Sequence, residues 1–265
     1  MSRLTSLVGA AAIVVATAAP SHASRYDFSL ASFINSEGNV NSPGFEGLSR
    51  DIGLAFQPRF GGPAATYGGA GFDVGYAVTL TDIDQNGAHW TATGVEPDDM
   101  LALSQVSVHK GLPYSFGLSA TIGHLHGSGL WGIDLGTKWA FVEGYEYFPD
   151  IGLQVQVGTV VGNRDMSLLR VGAELQISKA IPLGGLLRLT PYAAYSFTFI
   201  RATSHVLGVF QEGDVEPSTN ILPDQFLLNH RGVLGVRVTS TMVDVGIEAA
   251  LGEIHSFGFR LGLNF

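Results

Sequence analysis

From residue 71 onward the chain alternates between apolar and polar positions. In DIGLQVQVGTVVG, residues 150–162, Ile151, Leu153, Val155, Val157, Thr159 and Val161 share one parity, and Gly152, Gln154, Gln156 and Gly158 the other. That is the period of two that a strand imposes on its side chains. GFDVGYAVTLT (71–81), WGIDLGTKWAF (131–141), LRVGAELQIS (169–178) and the last three segments repeat the pattern. Read throughout, it predicts twelve strands, near 25–34, 48–57, 71–82, 100–109, 114–125, 130–142, 150–162, 166–179, 186–201, 228–239, 242–251 and 255–265. Most exceed the roughly 5–6 residues usual in soluble sheets and match the roughly 9–11 that cross a bilayer. The fold class expected is all-β, a closed antiparallel transmembrane barrel.

The connections divide into two sets. With the first strand rising from the periplasm, 35–47, 83–99, 126–129, 163–165, 202–227 and 252–254 lie at one end, and 58–70, 110–113, 143–149, 180–185 and 240–241 at the other. Long loops gather at the first end, the asymmetry of barrels with short periplasmic turns and long outer loops. The exception is 58–70, QPRFGGPAATYGG, too long for such a turn. It leaves ten strands as the alternative count. Trp131, Trp139, Phe141, Tyr145, Tyr147 and Phe148 fall where aromatic girdles would lie.

Composition narrows the setting. Hydrophobic residues make up 46% and charged residues 14% of the 265, and cysteine is absent, which excludes disulfides and zinc–thiolate sites. Arg3, the apolar run Leu4–Ala19 and Ser21-His22-Ala23 have the order of a secretory signal peptide. The expected division is therefore signal peptide over 1–23 and barrel domain over 24–265. The formal net charge is −9, and removal of residues 1–23 takes only Arg3 with it.

The chain ends in FGFRLGLNF (257–265), with Phe257, Phe259, Leu261, Leu263 and Phe265 on one parity. With the leader and the alternating strands, this resembles the Gram-negative outer-membrane β-barrel proteins of the opacity-protein and porin-like type. The resemblance implies that these five residues form the C-terminal signal read by the barrel assembly machinery, and it implies location in the bacterial outer membrane, among membrane lipid and lipopolysaccharide.

The other parity predicts the lumen. It carries Asp51, Asp73, Asp134, Glu174, Asp244 and Glu248 against Lys138, Arg170, Arg188, Arg231, Arg237 and Arg260. Charge belongs there, since Lys or Arg on the lipid face costs about 2–4 kcal/mol at the midplane. A Ser240-Thr241 hairpin loop would set Arg237 opposite Asp244, and the next hairpin Glu248 or Gly246 opposite Arg260. Such pairs brace the wall or form a constriction selective for a small solute, while the acidic loops 83–99 and 202–227, which hold no Lys or Arg, are either solvated or attract cations. The expected function is a porin-like passive channel, with a structural or surface-interaction barrel as the alternative. A less favoured alternative is a lipid hydrolase built on His124, His126 and Ser128 or on Glu253, His255 and Ser256, but sequence neighbours on a strand face opposite ways, and the chain is expected not to be an enzyme. Asp82, Asp84 and Asn86 match the opening of a calcium loop, without the Glu at its twelfth position. An Asn-Gly turn explains the same residues. No phosphate loop or dinucleotide fingerprint occurs and no basic surface suits nucleic acid, so neither cofactor nor nucleic-acid partner is expected.

Overall fold

A computed structural model describes residues 26–34, 40–59, 61–206 and 222–265. The strands are β1 (Phe72–Asp82), β2 (Met100–Leu112), β3 (Phe116–Leu125), β4 (Trp131–Val142), β5 (Asp150–Val161), β6 (Met166–Ser178), β7 (Ile181–Pro182), β8 (Leu187–Ser204), β9 (Gln225–Ser240), β10 (Val243–Gly252) and β11 (Ser256–Asn264). Each pairs antiparallel with its sequence neighbours, except that β6 pairs with β8 and the two-residue β7 is an appendage of β8. β1 pairs with β11, so ten strands close into a barrel. Closure satisfies every ladder and leaves no edge in lipid.

Ten is the lower of the two expected counts. The first two expected strands are something else: 25–34 contains the 3-10 turn Leu30–Phe33, and 48–57 lies in helix α1, Ser42–Ala55. Leu48, Ile52 and Phe56 satisfy a period of two, but with Phe45 they also fit the i, i+3, i+4 spacing of a helix. Capping decides between them. Asn41 Oδ1 accepts from Gly44 N–H at 3.0 Å, and Pro43 stands in the first turn, where its missing N–H costs nothing.

The hairpin after β9 also differs from expectation. Its turn is Thr241–Met242, with Thr241 at φ +49°, so Arg237 lies opposite Gly246 and Asp244 opposite Thr239. The two-residue shift preserves parity, and Arg237 Nε still comes within 3.7 Å of Asp244 Oδ1. The alternative pairing expected for the last hairpin, Gly246 opposite Arg260, is present.

Connections 83–99, 126–130, 162–165 and 253–255, with residues 205–206 and 222–224, mark one end of the barrel, hereafter the loop end, with α2 (Ala88–Thr93) in the first of them. The turns 113–115, 143–149, 179–186 and 241–242 mark the other. On the outward positions of the described strands charge occurs only toward strand ends, at Asp82, Lys110 and Arg201. Between those ends Ile133, Leu135, Val155, Val157, Val171, Phe197, Ile247 and Phe259 are all exposed. An unbroken apolar belt of this kind is stable in lipid and not in water. Phe116 stacks on Trp139 at 5.7 Å near the turn end, and Trp131 packs against His124 at 4.5 Å near the loop end. Aromatic rings thus stand at both edges of the belt. Phe257, Phe259, Leu261, Leu263 and Phe265 project outward from β11, and the Phe265 backbone exchanges two hydrogen bonds with Phe72 at the closure.

Candidate functional site

The lumen is occupied by the chain's own N-terminal segment. Residues 26–34 lie across the loop end: Tyr26 N–H donates to Gly127 O at 2.9 Å, Asn163 Nδ2 to Phe28 O at 3.0 Å, and Leu30 N–H to Asp165 Oδ2 at 3.0 Å. Helix α1 follows, touching β6, β8 and β9 from inside. Phe33, Phe45, Leu48, Ile52 and Phe56 are each at most 1% exposed. They pack with Trp90 of α2, Leu222 and the inward Leu101, Leu103, Leu125, Leu168, Ile200 and Leu227 in a single apolar core. The uniformly polar lumen expected from strand parity is therefore corrected at this end, where inward leucines meet a plug instead of water.

Beyond Phe56 the segment runs toward the turn end through polar layers. Arg170 Nη2 donates to both oxygens of Asp134, at 2.8 and 3.0 Å, and its guanidinium lies 5.9 Å from the Phe56 ring centroid. Gln57 Nε2 donates to Ser196 Oγ at 3.2 Å and to Thr198 Oγ1. Tyr192 O–H donates to Glu248 Oε2 at 2.8 Å, while Gln176 Nε2 bridges Glu174 at 2.7 Å and Gln154 at 3.1 Å. Charged wall residues then grip main-chain carbonyls: Arg231 the carbonyl of Pro58 at 3.4 Å, Arg237 that of Gly62 at 2.6 Å, and Lys138 those of Gly61 and Pro63. A Cβ at Gly61 would stand 2.7 Å from Gln154 Oε1, and one at Gly62 would run into the Tyr192 ring. At Gly62 the wall comes so close that only glycine fits without moving the Tyr192 ring. Thr66 finally bonds Glu143, and Tyr67 O–H accepts from Arg237 at 2.6 Å, before β1 begins.

Around the closing strand pair, Arg260 bonds both Asp73 and Asp244, and all three are fully buried. His109 Nδ1 meets Asp73 at 2.9 Å and Asn264 Nδ2 donates to Asp244 at 3.0 Å. Gly75 and Gly262 stand opposite each other across β1 and β11, and a Cβ on either would collide with the guanidinium. The slot is made by glycine on both strands of the seam.

Of the twelve charged residues assigned to the lumen, Asp73, Asp134, Lys138, Arg170, Glu174, Arg231, Arg237, Asp244, Glu248 and Arg260 face inward. Asp51 instead sits on α1, where its Oδ2 meets His89 Nε2 and accepts from Trp90 Nε1, each at 2.8 Å. Arg188 is exposed at the turn-end mouth. Missing from that set are Gln57, Arg59 and Tyr67, which contact the wall from the plug. A strand reading of 48–57 and a loop reading of 58–70 place them elsewhere.

Open space among the described residues of the lumen includes two small cavities and a mouth. Beside the plug, cavities of about 20 and 10 Å³ lie against His109, Ser119 and Gln154, close to the room one water needs. At the turn-end mouth a vestibule of about 370 Å³, bordered by Pro63, Tyr67, Arg188, Arg237 and Asn264, ends blindly on the plug.

The other candidate residues are placed as follows. Ser128 Oγ donates to Leu125 O at 2.8 Å and His124 Nε2 meets the Ser128 carbonyl at 3.1 Å, while Ser256 is buried and His255 exposed. His126 Nε2 instead meets Ser104 Oγ at 2.6 Å on the outer wall, with Tyr76 O–H at 2.8 Å from the same oxygen. Ser167 with His205 and Tyr195 with His230 form two further hydrogen-bonded pairs on exposed side chains. Asp84 Oδ1 accepts from Asn86 N–H at 3.1 Å, as an Asn-Gly turn requires. Among the described residues no group of three or more His, Asp or Glu could hold a metal together.

A closed ten-stranded barrel with an uncharged apolar belt has one home. The chain is an outer-membrane β-barrel protein. No family model and no curated protein matches it. Among solved structures it is similar to the β domain of the Bordetella autotransporter BrkA, at 10% identity over 74% of this chain and 99% of that one, with a TM-score of 0.42. It is also similar to the KdgM porin (6–9% identity, 73% and 98–99% of the chains, TM-score 0.34–0.35) and to the outer-membrane enzyme PagL (11% identity, 72% and 98%, TM-score 0.32).

Proposed function

We propose that this protein is a surface barrel sealed by its own N-terminal segment, acting through its outer loop face and carrying no passive solute traffic in its resting state. This departs from the porin-like channel that the charged lumen suggests on sequence alone. The observation that carries it is the apolar seat of α1. Five large side chains of the plug are buried to 1% exposure or less, and each contributes about 1.5–3 kcal/mol on burial, so together they hold the plug by roughly 8–15 kcal/mol. The charges support the same reading, because Arg231, Lys138 and Arg237 spend their hydrogen bonds on plug carbonyls instead of facing a water column.

Single-channel recording in planar bilayers tests this. The full chain is expected to insert as a folded barrel and give no steady conductance. A stable open level in most insertions would return the protein to the porin reading.

A further inference from the structure

We infer that the N-terminal side of the plug belongs to the outer surface: the segment from Tyr26 to Tyr67 crosses the membrane inside its own barrel, outer face to periplasm, and the protein displays residues 26–34 outside. Three observations carry this, and it holds whether or not the barrel conducts.

The first is position. Tyr26, Phe28 and Leu30 are tied to the connections 126–130 and 162–165, and Tyr26 O–H accepts from Asp98 N–H at 3.2 Å in the connection 83–99. All three connections are at the loop end. Arg50 of α1 reaches Glu253 there at 3.0 Å. Thr66 and Tyr67, by contrast, are tied to Glu143 and Arg237 near the short turns. The long-loop end faces outward in barrels of this kind, so the chain runs inward through the lumen before β1 returns across the membrane.

The second is the constriction. Gly61 and Gly62 pass between Gln154 and Tyr192, where at Gly62 only glycine fits without moving the Tyr192 ring, and the five apolar anchors lie on the outer side of that point. A chain bearing Phe33, Phe45 and Phe56 cannot be drawn through a finished barrel at that level. The segment is therefore enclosed as the sheet closes, and Arg260 bonds Asp73 across the β1–β11 seam.

The third is burial at the outer end. Tyr26, Phe28, Leu30 and Phe33 alternate or step inward, while Asp27, Ser29 and Ser32 are exposed. The segment is a fixed part of the outer face, with its polar side presented to solvent.

The absence of cysteine makes the test direct. Single variants Asp27→Cys, Gln85→Cys in the connection 83–99 and Tyr147→Cys in the turn 143–149 are exposed to a membrane-impermeant maleimide on intact cells and again after outer-membrane permeabilisation. Ser32→Cys replaces Asp27→Cys if the latter lowers barrel yield. Position 27 is expected to label to the same extent before and after permeabilisation, as position 85 does, and position 147 only afterwards. Labelling of position 27 that requires permeabilisation overturns the inference, as does reversal of positions 85 and 147. Because the readout is accessibility, it is independent of the conductance result.

Discussion

Arg260→Met lowers the unfolding midpoint of the detergent-folded barrel by the equivalent of about 3–5 kcal/mol, the usual cost of breaking a buried charge pair from one side. The guanidinium stands between Asp73 and Asp244, each 0% exposed. Methionine would leave two carboxylates facing each other across the strands that close the sheet. His109 still supports Asp73, and Asn264 and Arg237 still support Asp244, which keeps the loss from growing larger. A double variant, Arg260→Met with Asp73→Asn, is expected to recover part of the loss because it removes one uncompensated charge. Urea titration followed by the gel shift between folded and unfolded barrel measures both. A single variant indistinguishable from wild type would show that the seam does not depend on Arg260.

The second large effect separates plug from wall. Phe45→Ala costs about 3–5 kcal/mol and Ile52→Ala about 2–5 kcal/mol, and both side chains face the apolar core at 0% exposure. Their sum is comparable to the whole apolar hold on α1. The double variant is therefore expected to give intermittent conductance in planar bilayers while keeping the folded-barrel gel mobility, since no strand has been altered. Silent bilayers with a folded barrel would show that the wall grip on Pro58–Pro63 seals the lumen without α1.

Much of this architecture is legible in the chain because lipid enforces a strict period of two. Val155 and Val157 outward, Gln154 and Gln156 inward, is a pattern no helix tolerates, and closure follows from the cost of an unpaired edge in hydrocarbon. The plug was not legible for the same reason. Leu48, Ile52 and Phe56 satisfy a strand and a helix alike, and only the Asn41 and Pro43 start, read with Phe45, separates them. Arg260 could be placed in the lumen by parity, but its two partners depend on which strands meet at the seam. The pairing of Gly75 with Gly262 emerges only from that register. Likewise Ser104 of β2 meets His126 of the turn after β3, a contact that spacing along the chain does not reveal.

Residues 42–57 form a resident plug held by burial instead of a strand pair in the wall or a loosely tethered tail. Amide hydrogen exchange on the folded barrel measures this, because exchange reports the free energy of local opening. Amides of α1 from Phe45 to Phe56 are expected to be protected as strongly as those of the barrel strands they touch, β6, β8 and β9. The Phe45→Ala, Ile52→Ala double variant is expected to lose that protection in α1 alone. Exchange of α1 at the rate of an exposed peptide, with the strands protected, would contradict the account.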